Sequence, residues 1–416
     1  MSDFKTPLID VTRLPAEAGV SRLIAHAVQL PASDLFFSSN EHNVSVSARR
    51  FGIVHPVSVM PPELGRRQIA HIKAVAGMDV AEHRRPLDGR WIHKTDDGKF
   101  VDLRINMIPT LFGEDMSIRL LSRQPNLFPL DSLGMAPDQF TSLTHMMDSP
   151  GGLILMTGPT GSGKTATLYA CLSKLNDGRR RINTIEDPVE FTIDGLRQSQ
   201  INSAIHLSFA DLLRGVLRQS PDVIMIGEVR DAETAETAVR AANSGHLVFA
   251  TIHAPIAAAG IQSMRSLGAH PHFLSTCLRG IVSQRLVRTL CPECKSGFDL
   301  TDAPHTFDDV RPWLSADEGK TLFASRGCAA CHHTGYAGRT GVFEVMQITQ
   351  EIRTLVADSQ PPRTIRQAAV NARMMEFRHS ALLKVAKGIT STEEVFRVIP
   401  SEHLLEQYEV SKPSVA

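Results

Sequence analysis

The sequence predicts an α/β protein with a small α/β domain in front of a larger, mostly parallel sheet covered by helices on both faces. Three observations predict it. Between residues 151 and 253, short apolar runs alternate with helical segments, the βαβα order of a parallel sheet. A glycine-rich loop lies between the first apolar run and its helix. Ahead of these, residues 1–121 mix period-two and helical spacing.

In the leading domain, "RLIAHAVQL" (22–30) spaces its apolar residues helically. "NVSVSA" and "FVDLRINMI" alternate as half-buried strands do, and "PELGRRQIAHIKAVAGM" between them reads as a second helix. "SRQPNLFPLDS" (122–132), with two prolines and few helix formers, is the expected linker. The second domain, 133–416, then runs "GGLILMTG", a helix from Lys164, "RINTIED", "SFADLLRGVLRQ", "DVIMIGE", "AETAETAVRAAN" and "HLVFATIH". Residues 288–345 break the rhythm with cysteines, glycines and turns, and the tail from 348 to 416 reads as helical.

Bulk composition excludes several classes. Lys+Arg and Asp+Glu both number 44 in 416 residues, a balance that argues against a broad basic face for nucleic acid and leaves room only for a local patch. Two Trp and three Tyr leave few rings to stack on bases. The start lacks a basic segment followed by an apolar one, so no signal peptide is expected. No run approaches 18 apolar residues, which argues against a membrane helix. Six cysteines in so long a chain point to a reducing compartment, and the chain reads as cytoplasmic.

"GPTGSGKT" fits the phosphate-loop pattern in full, with the strand before it and the helix after it that the chemistry requires. Gly158, Pro159, Thr160, Gly161, Ser162 and Gly163 form a turn whose amides face phosphates at a helix N-terminus. Lys164 then reaches the β- and γ-phosphates, and Thr165 binds Mg²⁺. The loop predicts ATP binding but is silent on hydrolysis, which needs an acid on a neighbouring strand end. "PDVIMIGEVRD" supplies Glu228 just after four apolar residues, placed to orient water. Asp222 precedes that strand and is expected at its far end.

In "TIEDPVE", Pro188 stops a strand and leaves Glu186 and Asp187 at the carboxyl edge, where either carboxylate can hold the water shell of the metal. "SGHLVFATIHA" sets His246 and His253 at opposite ends of one strand, with His253 the candidate nucleotide sensor.

The run Cys328-Ala-Ala-Cys331-His332 taken alone fits a haem-attachment pattern. Upstream, however, Cys291-x₂-Cys294 precedes it by 33 intervening residues, and two such pairs supply four thiolates for a closed tetrahedral Zn²⁺ site. Four sulfurs complete that shell, which leaves His332 and His333 outside it. Cys171 and Cys277 lie in apolar helical contexts and read as core.

"GPTGSGKT", "TIEDPVEF", "IGEVRDAETAETA" and "AANSGHLVFATIHA", in this order, resemble the Walker A, acidic, Walker B and histidine boxes of the ATPases of type II secretion and type IV pilus assembly. "MDVAEHRRPLDGRW", "VDLRIN", "FGEDMSIRLL" and the zinc-side "GYAGRTGVFEV" extend the resemblance over the chain from about Ser21. It implies a PAS-like N-terminal domain, a RecA-like ATPase core with a zinc module, a homo-hexamer, Mg²⁺-dependent ATP hydrolysis and an inner-membrane platform protein as partner. Membrane association is implied only through that partner, and no nucleic acid is. Arg104 and Arg119 match the arginines that close on the γ-phosphate in that family, with Arg90 a third candidate. A further leading domain common in such ATPases is expected to be absent. The chain departs from the family at Phe51, where Asp is usual, and at "SDLFF", which lacks a usual His. Three roles remain open: an assembly or secretion motor, which the paired cysteines favour; a conjugation or retraction motor; and a non-hydrolysing, nucleotide-gated scaffold.

Overall fold

The computed structural model describes residues 8–95, 98, 100–122, 128–202 and 205–405. Of the linker expected over 122–132, residues 123–127 lie outside these described residues. The chain divides into two compact units, residues 1–125 with 332–334, and residues 126–331 with 335–416.

The first unit opens with helix α1 (Ala16–Gln29), which buries Val20, Leu23, Ile24 and Ala27 at helical spacing. Strands β1 (Asp34–Ser39), β2 (Val44–Arg50) and β3 (Ile53–Met60) follow, then α2 (Pro62–Val75) and strands β4 (Leu87–Lys94), β5 (Phe100–Thr110) and β6 (Gly113–Ser122). All six strands form one antiparallel sheet in the order β3-β2-β1-β6-β5-β4. Val44, Val46 and Ala48 of β2, with Val101, Leu103, Ile105 and Met107 of β5, turn to one face and join the two helices in a single core. The β2–β3 connection is a two-residue turn in which Phe51 (φ 49) and Gly52 (φ 83) both take positive φ. The Phe51 departure therefore sits at a hairpin tip, where the Arg50 guanidinium lies 4.8 Å from the centre of its ring.

The second unit contains α3 (Pro137–Met147), β7 (Gly152–Thr157), α4 (Lys164–Leu175), β8 (Ile182–Glu186), β9 (Arg197–Gln200), α5 (Phe209–Leu217) and β10 (Val223–Ile226). It continues with α6 (Ala232–Asn243), β11 (Leu247–Ile252), α7 (Ala257–Ser266), α8 (Pro271–Cys277) and β12 (Leu278–Leu290). A short pair, β13 (Ser296–Asp299) and β14 (Thr321–Ala324), precedes β15 (Tyr336–Gln347). The tail is helical: α9 (Gln350–Ala357), α10 (Pro362–Asn371), α11 (Phe377–Ala386), α12 (Thr392–Val398) and α13 (Glu402–Leu405).

The main sheet runs β15-β12-β7-β11-β10-β8-β9, parallel except for β15. Every residue of β7, β8, β10 and β11 is buried, because helices cover both faces. One cover is built by α5 to α8 and the tail, the other by α3 and α4. Both ends of the cysteine-rich stretch 288–345 lie inside long strands, β12 and β15, that pair with each other from Gly280 to Leu290. Sequence reading assigns no strand there, since Arg285, Arg288, Gly338 and Gly341 interrupt the apolar pattern. Among the described residues no helix is long and apolar enough to cross a membrane.

Candidate active site

With β7, β8, β10 and β11 buried along their whole length, these strands offer their ends for polar chemistry. At the carboxyl end of β7 the chain turns through Gly158 (φ 144), Gly161 (φ 76) and Gly163 (φ 90) into α4, conformations that side-chain-bearing residues rarely take. Lys164 folds its ammonium back over this loop and donates to the carbonyl oxygens of Gly158 at 2.8 Å and Pro159 at 3.1 Å. Burial pulls the Lys164 ammonium below its ordinary range; the Glu228 carboxylate opposes that shift and the Arg285 guanidinium adds to it. A cation in that setting is under-compensated, and an anionic phosphate is the partner that would restore it.

Glu228 leaves the sheet two residues after β10 ends. Its Oε1 lies 2.8 Å from Nε2 of His253, and its Oε2 lies 2.5 Å from Arg230. Burial pushes the Glu228 carboxyl up, but the Arg230 hydrogen bond and charge, helped by His253, outweigh it, and the group sits below the ordinary carboxylate range. Thr165, Glu186, Asp187, Glu190, Gly227 and Glu228 share the wall of one cavity of about 70 Å³. Arg230, His253, Gln262, Ser263 and Ser266 line a second of about 430 Å³, again with Glu228 in its wall. The structure thus brings Thr165, Glu186 and Glu228 to one cleft, and places His253 directly against Glu228.

Glu186 differs from expectation in its availability. It is 3% exposed. Its Oε1 accepts from the Thr184 hydroxyl at 2.5 Å and from Gln198 Nε2 at 3.1 Å, and its Oε2 accepts from the Tyr169 hydroxyl. Both oxygens are committed to holding β8, α4 and β9 together. Asp187, the next residue, is the freer carboxylate; among the described residues its side-chain partner is Arg230, with Nη1 at 3.3 Å. The remaining strand-end residues fall where the register puts them. His246 caps the amino end of β11 with its Nδ1 3.0 Å from the Ala241 carbonyl, and Asp222 accepts from the Arg181 amide at the end of β10 remote from the loop.

In the first unit, cross-strand pairing sets Arg90 opposite Arg104 and Arg104 opposite Arg119, with Arg119 in turn opposite Asp34. Arg119 Nε lies 3.3 Å from Asp34, and Arg90 makes a two-pronged pair with Asp102 at 2.9 and 2.5 Å. Three candidate arginines therefore stand in one row across β4, β5 and β6, and Arg104 occupies the middle of it.

The four cysteines Cys291, Cys294, Cys328 and Cys331 form one cluster with all sulfurs within 4.8 Å of one another. Sulfur separations of 3.9 Å (Cys291–Cys328), 3.8 Å (Cys294–Cys331) and 3.9 Å (Cys328–Cys331) are far too long for disulfides. They equal the edge of about 3.8 Å that a tetrahedron of Zn–S bonds of about 2.3 Å requires. Amides of Cys328 and Gly335 donate to the Cys331 sulfur and the Gly327 amide donates to Cys294, each at 3.2 Å, as thiolate ligands need. The donor set fits Zn²⁺. Cys171 and Cys277 are buried, and burial pushes each thiol up to about 12.

Sequence reading missed Tyr169 and Gln198, and it did not anticipate Arg230 as the bridge between Asp187 and Glu228. Tyr169 and Gln198 carry no local motif signal and are defined by contacts between elements; Arg230 lies within the "IGEVRD" stretch, but its reach to Asp187 is set by the pairing of β8 with β10.

A glycine-lined phosphate loop after β7, an acid two residues beyond β10 and a four-cysteine cluster define a RecA-like P-loop protein with a metal module. The model of the family described as "Type II/IV secretion system protein" matches residues 12–397, and the chain belongs to that family. It is 38% identical over 379 residues to the "Type II secretion system ATPase E" of Vibrio cholerae, covering 91% of this chain and 74% of that one. It is 37% identical over 379 residues to the "Type IV pilus assembly ATPase PilB" of Acinetobacter baylyi, covering 91% of this chain and 65% of that one. Among solved structures, the fold is shared with the Legionella pneumophila ATPase DotB (TM-score 0.68, 20% identity, 94% of this chain and 96% of that one). It is shared as well with the ADP-bound pilus retraction motor PilT (TM-score 0.61, 24% identity, 91% and 96%).

Proposed function

We propose that this chain is a Mg²⁺-dependent ATP hydrolase that works as a homo-hexameric motor for type II secretion or for type IV pilus or pseudopilus assembly. In this reading it operates in the cytoplasm and is recruited to the inner membrane by a platform protein. The observation that carries the reading is the cavity whose wall Thr165, the last residue of the phosphate-loop motif, shares with Glu228, with His253 hydrogen-bonded to the acid. The high coverage by secretion and pilus-assembly relatives supports the choice of machine.

In this mechanism the loop amides and Lys164 bind the β- and γ-phosphates. The Thr165 hydroxyl and the freer carboxylate of Asp187 would hold Mg²⁺, which supplies charge neutralisation for the leaving diphosphate. Glu228, whose carboxyl Arg230 and His253 hold below the ordinary range against the effect of burial, orients a water for attack on the γ-phosphorus and takes up its proton. His253 holds that carboxylate in place. Arg104 and Arg119 stabilise charge on the transferred group as arginine fingers do. Cys291, Cys294, Cys328 and Cys331 would hold Zn²⁺, whose binding would supply on the order of 10 kcal/mol to the local fold.

Steady-state phosphate release by the full chain tests the reading. The Glu228→Gln variant is expected to bind ATP as the parent does and to hydrolyse it at least about tenfold more slowly. Equal turnover by parent and variant removes Glu228 from the mechanism, and ATP binding without any phosphate release by the parent leaves the scaffold role.

A further inference from the structure

The phosphate loop has to hold a strained backbone in one shape, and glycines contribute no stiffness of their own. What stiffens it comes from β12. That strand lies beside β7, and the last pair between them is Ser283 with Thr157, so Gln284 is the first β12 residue past the point where β7 gives way to the loop. Gln284 is 1% exposed. Its Nε2 donates to the carbonyl oxygen of Ser162 at 2.7 Å. Among the described residues this is the side-chain hydrogen bond that ties the loop to another segment; the Lys164 bonds stay within the loop itself.

Two glycines record how close the approach is. A Cβ placed on Gly158 would lie 2.5 Å from the Gln284 carbonyl oxygen, and one on Gly163 would lie 3.0 Å from Gln284 Nε2. The β12 backbone at 284 thus closes on the loop at its first position, and the Gln284 side-chain amide closes on it at the sixth, beside the Ser162 carbonyl it holds. A trans peptide points its carbonyl and its N–H in opposite directions. Fixing the Ser162 carbonyl toward β12 therefore fixes the Gly163 N–H away from β12. That N–H belongs to the set of loop amides on which phosphate recognition depends.

We infer that Gln284 is a positioning residue for triphosphate binding: a buried amide, contributed by a strand outside the phosphate-loop motif, that orients the Ser162–Gly163 peptide. The inference rests on the nucleotide-binding reading above. It assigns a role to a residue that acts through the Ser162–Gly163 peptide. Its Oε1 and the nearby Ser162 Oγ are buried with no hydrogen-bond partner of their own, so the amide is held at this position at the cost of an unsatisfied acceptor. A leucine would fill the same volume without that cost. Gly163 leaves the room that the Gln284 amide occupies, and Gly158 leaves room for the backbone of the same residue.

Gln284→Leu keeps the volume and removes the donor. Titration of the full chain with a fluorescent ATP analogue in the presence of Mg²⁺ is expected to show the Kd raised about tenfold, with ADP weakened in parallel. In steady-state hydrolysis the loss is expected on KM rather than on kcat, the split that separates loop positioning from damage to the water-orienting acid. Bound metal, read by atomic absorption, is expected to match the parent. A Kd equal to that of the parent overturns the inference. Should the leucine variant fail to fold, Gln284→Glu is read the same way: it sets an acceptor against the Ser162 carbonyl, and an unweakened Kd there overturns the inference equally. Failure of the nucleotide reading itself looks different, because the parent chain would then bind no ATP analogue at all.

Discussion

The two sheets of this molecule solve the placement of charge in opposite ways. In the antiparallel sheet of the first unit, one face packs against α1 and α2 while the other carries charged side chains, so Arg90, Arg104 and Arg119 stand in mid-strand, aligned by register. In the second unit both faces are covered, every residue of β7, β8, β10 and β11 is buried, and functional side chains are driven to the strand ends. The difference teaches where to look. An antiparallel sheet displays chemistry as a row on a face, and a parallel one displays it as a rim.

The contrast can be broken most directly on the charged face. Arg104→Ala and Arg119→Ala are expected to lower ATP turnover by about 10³-fold while leaving the fold intact, since an arginine finger acts on the transition state. Thermal unfolding should barely shift, because Arg119 is 64% exposed and its pair with Asp34 contributes little. Turnover equal to that of the parent in both variants would leave the row without a catalytic part.

On the covered sheet the balance is reversed. Ile224→Ala, in the middle of β10 and fully buried, is expected to cost about 2–5 kcal/mol in denaturant unfolding. Val59→Ala on β3, 46% exposed, should cost less than about 0.5 kcal/mol. Similar costs at the two positions would contradict the contrast between the two sheets.

The smallest effect sharpens the rim. Arg230 helps hold Glu228 below its ordinary value of 4.5. The unfolded carboxyl takes up its proton near 4.5 and the folded one only at lower pH. The stabilisation is therefore complete above 4.5 and is lost as pH falls through the folded value. Arg230→Gln is expected to move this loss, and the acid limb of kcat/KM, to higher pH. An unmoved acid limb would show that His253 and solvent suffice to keep the acid ionised.

How much of the site was legible depended on whether its chemistry is local. Lys164, Thr165 and Glu228 were readable because a phosphate loop and a strand-end acid are each written in a few consecutive residues. Glu186 was placed at the right strand end, yet its oxygens turn out to be engaged by Tyr169, Thr184 and Gln198, two of which come from other elements. The pairing of β12 with β15 was hidden by arginines and glycines whose neighbours in space decide their environment.

The amino-acid sequence alone determined the phosphate loop, the acid that follows an apolar strand, the spacing of two cysteine pairs and membership of the family. These depend on short-range backbone geometry and on residue types that few other chemistries use together. Only the tertiary structure decided that the cysteine sulfurs meet at tetrahedral distances, that three arginines share a row, that Arg230 spans two acids, and that Gln284 grips the loop. Each of those is a contact between segments remote in the chain, set by sheet order and register, and no local pattern encodes either.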